Sequence, residues 1–294
     1  MQFSAQYHET KSAGITNEDL IKPEAEKLVY DEVADGARAV LSKVPEVTIA
    51  FWMVKILATT LGETGGDALS MTLQLGYAIS TLIFLGIFIV TLGAQVASKR
   101  YHPVAYWAVV VATTTVGTTT SDYLDRTAGL GYVKSSIMLL CAVILVLLAW
   151  RFVTGRIEYE HIGTRRDELF YWVAILVSNT LGTALGDFMA TTTGLGFERG
   201  ALVFAGLIGL VAAAHFFTSI RDSVLFWAAY VLTRPLGATL GDTLTKSHRD
   251  GGLGLGRIDS SIAIAVAMVI GISVTHLRRR AQSPAEEELD AEAD

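Results

Sequence analysis

Cysteine occurs once in the 294 residues, at Cys141, inside an apolar run. That excludes both a disulfide framework and a cysteine-ligated metal site. Charge is scarce as well: Asp, Glu, Lys and Arg make up 18% of the chain, against roughly 25% in soluble domains. The chain has no Gly-x-x-x-x-Gly-Lys-Ser/Thr loop, which argues against an ATP-driven pump within it. It also lacks a His-Glu-x-x-His motif and a nucleophile elbow, so enzymatic activity is not expected. Residues 1–43 are polar with no early apolar core, and no signal peptide is expected.

Apolar sequence, by contrast, is abundant. Hydrophobic residues form 51% of the chain. The runs at 78–96 and 137–150 are long enough, or nearly so, to cross a bilayer. The charges cluster between such runs and at the two ends, the pattern of a membrane protein in contact with lipid. The net charge of −6 owes much to the acidic tail at 286–294 and says little about partners. No nucleic-acid partner or resident cofactor is expected, and an oligomer is compatible with the sequence.

An internal repeat decides the architecture. Trp52, Trp107, Trp172 and Trp227 are each followed fifteen residues later by an aspartate: Asp67, Asp122, Asp187 and Asp242. A glycine stands five residues before each aspartate, at Gly62, Gly117, Gly182 and Gly237. Three copies then reach a Leu-Gly-aromatic segment, at Leu75-Gly76-Tyr77, Leu130-Gly131-Tyr132 and Leu195-Gly196-Phe197. The fourth reaches Leu255-Gly256 only after about five extra residues around 246–250. Tryptophan spacings of 55, 65 and 55 residues suggest two duplicated halves joined by a charged segment.

Each copy continues into a second apolar run. The expected fold is all-α: a polytopic membrane protein of eight transmembrane helices, near 46–71, 76–97, 103–125, 131–153, 167–191, 199–219, 223–245 and 257–277. Repeats that each cross twice enter from the same side. They are therefore parallel repeats, pseudo-symmetric about the membrane normal. A cytosolic, partly helical segment at 1–45 precedes the first half (46–153), and a linker at 154–166 joins it to the second (167–277). A basic then acidic tail at 278–294 is expected to be disordered. Loops on the tryptophan side carry ten basic residues against six on the aspartate side. By the positive-inside rule both termini face the cytosol of a bacterial inner membrane. An aspartate 15 residues beyond its tryptophan lies ~22 Å further along the helix, at about 1.5 Å per residue.

Positions three, four and seven before each aspartate share its helix face. They supply Thr64, Glu63 and Thr60 in repeat 1, Thr119, Thr118 and Thr115 in repeat 2, Thr183 and Thr180 with Ala184 in repeat 3, and Thr239, Ala238 and Pro235 in repeat 4. Seven residues after each tryptophan stand Thr59, Thr114, Asn179 and Arg234, and Lys55 lies three after Trp52. Five carboxylates with surrounding hydroxyls and no sulfur suit a hard divalent cation such as Mn²⁺, or a proton relay. An ionisable group inside a spanning helix usually marks an ion or substrate path. The candidate metal ligands are Asp67, Asp122, Asp187, Asp242 and Glu63. The wider ion or solute site adds Thr60, Thr64, Thr115, Thr119, Thr180, Asn179, Lys55 and Arg234.

Plainer roles compete with these. The tryptophans suit interfacial anchors, and the glycines suit close packing between helices. The aspartates suit caps on the hairpin turns. Lys55 and Arg234 suit neutralisation of Glu63 and one aspartate, while the threonines suit hydrogen bonds to their own helix.

The pattern resembles a bacterial membrane-protein family of unknown function with four tandem repeats, each holding two spanning segments and a characteristic tryptophan. The resemblance rests on the four tryptophans and on segments such as Leu61-Gly62-Glu63-Thr64-Gly65-Gly66-Asp67 and Leu236-Gly237-Ala238-Thr239-Leu240-Gly241-Asp242. It implies the eight-helix fold and no particular activity. The expected function is proton-coupled secondary transport or export of a divalent cation. The alternatives are transport of an organic or anionic solute through Lys55 and Arg234, and a structural or sensory role without transport.

Overall fold

The computed structural model describes residues 45, 47–98, 101–155, 157 and 164–293, with side chains as far as 277. The expected N-terminal segment and most of the linker lie outside the described residues. Eight long helices follow in order: α1 (Ile49–Asp67), α2 (Gly76–Ala97), α3 (Pro103–Asp122), α4 (Gly131–Thr154), α5 (Arg165–Asp187), α6 (Gly196–Phe217), α7 (Asp222–Thr245) and α8 (Arg257–Ala293). Local chemistry sets their starts. Thr48 and Thr164 accept hydrogen bonds from the backbone N–H groups of Phe51 and Asp167, the side-chain cap that a free helix N-terminus favours. Pro103 opens α3, where its missing N–H removes no helical bond.

In repeats 1–3 the chain passes from the aspartate into one π-helical turn, at Ala68–Thr72, Tyr123–Thr127 and Phe188–Thr192. It then turns through Gly76, Gly131 and Gly196, whose φ angles of 74°, 71° and 78° are left-handed and favour glycine. The Leu-Gly-aromatic motif is thus the hairpin turn. In repeat 4 the extra residues replace the π turn with a short 3-10 turn, His248–Asp250. The backbone of α8 is helical through Ala293, where the sequence suggested a disordered tail. Alanine, glutamate and leucine after Pro284 are strong helix formers.

The odd-numbered helices form a closed ring, α1 against α3, α3 against α5, α5 against α7 and α7 back against α1. Each even-numbered helix packs on the odd helix of the next repeat: α2 on α3, α4 on α5, α6 on α7, and α8 on α1. The fourth repeat therefore closes on the first, as expected for parallel repeats.

Glycine allows this closure. A Cβ added at Gly62, Gly117, Gly182 or Gly237 would meet Thr114, Asn179, Arg234 or Thr59 at 2.2, 2.9, 2.4 and 2.1 Å. Each pattern glycine therefore sits against the residue seven after the next repeat's tryptophan. Small residues four positions on continue the seam, with Gly66 against Thr118, Gly186 against Ala238 and Gly241 against Glu63. This spacing of small residues brings two helix backbones close together.

Among the described residues five helices are long and apolar enough to cross a membrane by length and composition: α2, α4, α5, α6 and α8. The outer helices expose Leu, Ile and Val along most of their length. Helices α1, α3 and α7 carry buried Thr, Gly and charged residues instead. Shielded by neighbouring helices, they do not need a lipid-compatible surface. The chain is an all-α polytopic membrane protein.

Three of the four tryptophans depart from expectation, and Trp52 is half-buried. Trp107, Trp172 and Trp227 are buried, and they pack with the preceding aromatics Phe51, Tyr106, Tyr171 and Phe226. They form an aromatic core at one end of the ring instead of lipid-facing anchors. An indole in a four-helix contact buries its whole ring, which an interfacial position does not.

The seam geometry predicts that Gly237→Leu destabilises the protein by about 1–3 kcal/mol or more, the usual cost of overpacking. Gly86→Leu, where an added Cβ meets open space, leaves stability unchanged. Thermal unfolding in detergent distinguishes the two.

Candidate functional site

Successive turns of the odd helices stack in layers along the ring. The aromatic layer comes first. Next is a layer of Lys55, Val110, Ile175 and Tyr230, all buried. Lys55 Nζ lies 4.2 Å above the centre of the Tyr230 ring, a cation–π contact. Among the described residues no carboxylate pairs with it and its Nζ has no hydrogen-bond partner. The expectation that Lys55 neutralises an acid is not met.

One turn further, Arg234 crosses the ring. Its stem lies against Gly182 of α5. Its Nη2 donates to Glu63 of α1 at 3.0 Å and to the Thr118 hydroxyl and Thr114 carbonyl of α3. One α7 side chain thus touches all three other inner helices. Arg234 and Glu63 are both buried, so their pairing offsets desolvation that neither could bear alone.

The aspartate layer does not form one symmetric cluster. Arg126 bridges Asp122 (2.9 Å) and Asp187 (3.3 Å), and Lys246 bridges Asp242 (3.0 Å) and Asp67 (3.2 Å). Arg257 also reaches Asp67 at 3.4 Å. Both bridging cations stand four residues after an aspartate, in repeats 2 and 4, where repeats 1 and 3 have Met71 and Thr191. The layer has twofold rather than fourfold character, in keeping with two duplicated halves. The aspartates make no side-chain cap on the π turns that follow them in repeats 1–3, so the capping role is not met there.

In the sequence Arg126, Lys246 and Arg257 read only as charge in the loops on the aspartate side. The first two share one signal, a cation four residues after the aspartate in repeats 2 and 4. Arg257 holds the place taken by Tyr77, Tyr132 and Phe197 in the other repeats. Burial alone discourages charge on Lys246, yet the Asp242 and Asp67 carboxylates outweigh it and hold the ammonium above the ordinary lysine range.

The half around Asp67 and Asp242 also holds Glu63, and the half around Asp122 and Asp187 also holds Asp125, buried and hydrogen-bonded by Ser121. Glu63, Asp67 and Asp242 each offer a carboxylate oxygen, all three within 4.8 Å of one another. All three are buried, and Asp67 Oδ1 has no hydrogen-bond partner. An all-oxygen donor set of this size fits a hard cation. Asp122 and Asp187 lie outside this group. The threonine hydroxyls mostly donate to their own helix: Thr60 to Ile56, Thr115 to Val111, Thr119 to Thr115 and Thr180 to Leu176. Thr64 donates to Leu61 and accepts from Ser261. Asn179 donates to Thr113.

A ring of four parallel helical hairpins with buried charge at its seams defines the class: a multi-pass membrane protein built by tandem duplication. The chain belongs to the family described as Repeat of Unknown Function (DUF347), which it matches four times, at residues 50–101, 105–156, 170–221 and 225–281. No curated protein and no solved structure matches it.

The crossing ion pair predicts that Arg234→Met, which leaves Glu63 buried alone, lowers stability by roughly 3–5 kcal/mol. Adding Glu63→Gln to that variant restores most of the loss. Chemical unfolding in mixed micelles measures both.

Proposed function

We propose that the protein is a membrane transporter of a divalent metal cation, with Glu63, Asp67 and Asp242 as the ion's ligands. The observation that carries this reading is the convergence of three buried carboxylates within 4.8 Å across the seam where repeat 4 meets repeat 1. Charge supports it. In the aspartate layer four carboxylates face three cations, Arg126, Lys246 and Arg257. Withdrawal of Lys246 uncovers negative charge between Asp67 and Asp242, where a divalent ion takes the place of the ammonium.

Lys246 then acts as a tethered stand-in for the cargo. It sits between Asp67 and Asp242, at the start of the insertion unique to repeat 4. That loop is pinned by backbone bonds from Leu253 to Thr243, Gly254 to Lys246 and Leu255 to Leu244. A cation entering from this end displaces the ammonium, and the ammonium returns when the ion leaves. Exchange of one cation for another keeps the buried acids compensated throughout, which suits secondary transport rather than an enzymatic step. We place the protein in a bacterial cytoplasmic membrane with both termini in the cytosol, on the excess of basic residues at the tryptophan side.

The test is Mn²⁺ binding to purified protein and Mn²⁺ flux in liposomes. Asp67→Asn and Asp242→Asn abolish both, while Asp122→Asn keeps measurable binding. Lys246→Met tightens binding by about tenfold, ~1.4 kcal/mol, by removing the internal competitor. Absence of Mn²⁺ binding to the native protein, or equal loss in Asp122→Asn, refutes the assignment.

A further inference from the structure

We propose a second, separate site: a small monovalent anion binds between Lys55 and Arg234, on the aromatic side of the acidic triad. Four hydrogen-bonding atoms there lack partners among the described residues: Lys55 Nζ, Arg234 Nε, Arg234 Nη1 and the Tyr230 hydroxyl. All three side chains are 0% exposed. Nitrogen donors dominate the set, and the phenol adds an O–H that turns freely. Such a set recognises an anion and repels a metal ion.

Connectivity places these groups together. Tyr230 and Arg234 are one turn apart on α7, so they share a face. Lys55 stands over the Tyr230 ring at 4.2 Å. Arg234 uses Nη2 for Glu63 and the α3 oxygens, which leaves its Nε and Nη1 edge without partners.

Charge sets the valence. In these layers two basic side chains, Lys55 and Arg234, face a single carboxylate, Glu63, so a charged Lys55 has no counter-ion there. The excess negative charge of the protein's interior lies in the aspartate layer. Asp67 is twelve residues beyond Lys55, about 18 Å along the helix at ~1.5 Å per residue. A buried ion without a local partner is unfavourable, and one monovalent anion supplies it. Full enclosure by packed side chains limits the ligand to halide or formate size. Repeats 2 and 3 have Val110 and Ile175 at the Lys55 position and Thr114 and Asn179 at the Arg234 position, so the site occurs once, at the seam that also holds the triad.

Bromide is the probe, used with purified full-length protein in detergent, with chelator and without divalent metal. Thermal unfolding is measured as sodium gluconate is replaced by sodium bromide at constant ionic strength. A saturating rise of about 2–4 °C is expected for the native protein. Lys55→Met removes the rise, and Lys134→Met, on the exposed face of α4, keeps it. Because Lys55→Met can fail to fold, anomalous diffraction from bromide-soaked native crystals gives a variant-free reading, with a peak expected beside Lys55 Nζ. A flat or non-saturating response, an unchanged response in Lys55→Met, or bromide peaks only at the protein surface overturns the proposal. None of these readings depends on whether the triad binds metal.

Discussion

Four backbone contacts, each a glycine against the next repeat's inner helix, hold the ring shut. The chemistry of the interior depends on that closure. With the inner backbones this close, Lys55, Glu63 and Arg234 lose contact with water and must find partners within the protein or as bound ligands. A bulkier residue at any of the four positions would separate the helices and admit solvent. The buried ion pair, the cation over Tyr230 and the bridged aspartates would then lose the low-dielectric setting that makes them consequential.

The same closure explains why symmetry breaks where it does. Three seams join consecutive repeats, and the fourth joins the last repeat to the first. Glu63, Lys55 and Arg257 come from the elements around that fourth seam, as do Arg234 and Lys246. A ring that only had to stand would repeat its threonine-rich layer four times. The substitutions instead collect at one junction. There the carboxylates that an ion would use lie toward the aspartate end, and unpartnered donors lie toward the aromatic end. The opposite junction, where Arg126 bridges Asp122 and Asp187, is an ion network of the kind that holds helices together.

Much of the fold was legible in the sequence because duplication writes the same solution four times. The offset from tryptophan to glycine to aspartate located every inner helix, and the Leu-Gly-aromatic motif located three of the hairpin turns. The roles of single residues were harder to read. Trp172 and Trp227 looked like interface anchors because a lone sequence does not reveal that Tyr106 and Tyr171 pack them from neighbouring helices. Lys246 and Arg257 looked like loop charges because their partner, Asp67, is 179 and 190 residues away in sequence. The convergence of Glu63 with Asp67 and Asp242 was half legible. Periodicity put the first two on one face, but only ring closure brings α7 beside them.

Anomalous diffraction from Mn²⁺-loaded crystals addresses the triad directly. The expected result is one buried peak in contact with Glu63, Asp67 and Asp242, with the Lys246 ammonium withdrawn from between the two aspartates. A peak centred instead among Asp122, Arg126 and Asp187, or no buried peak with Lys246 still bridging Asp67 and Asp242, would contradict it.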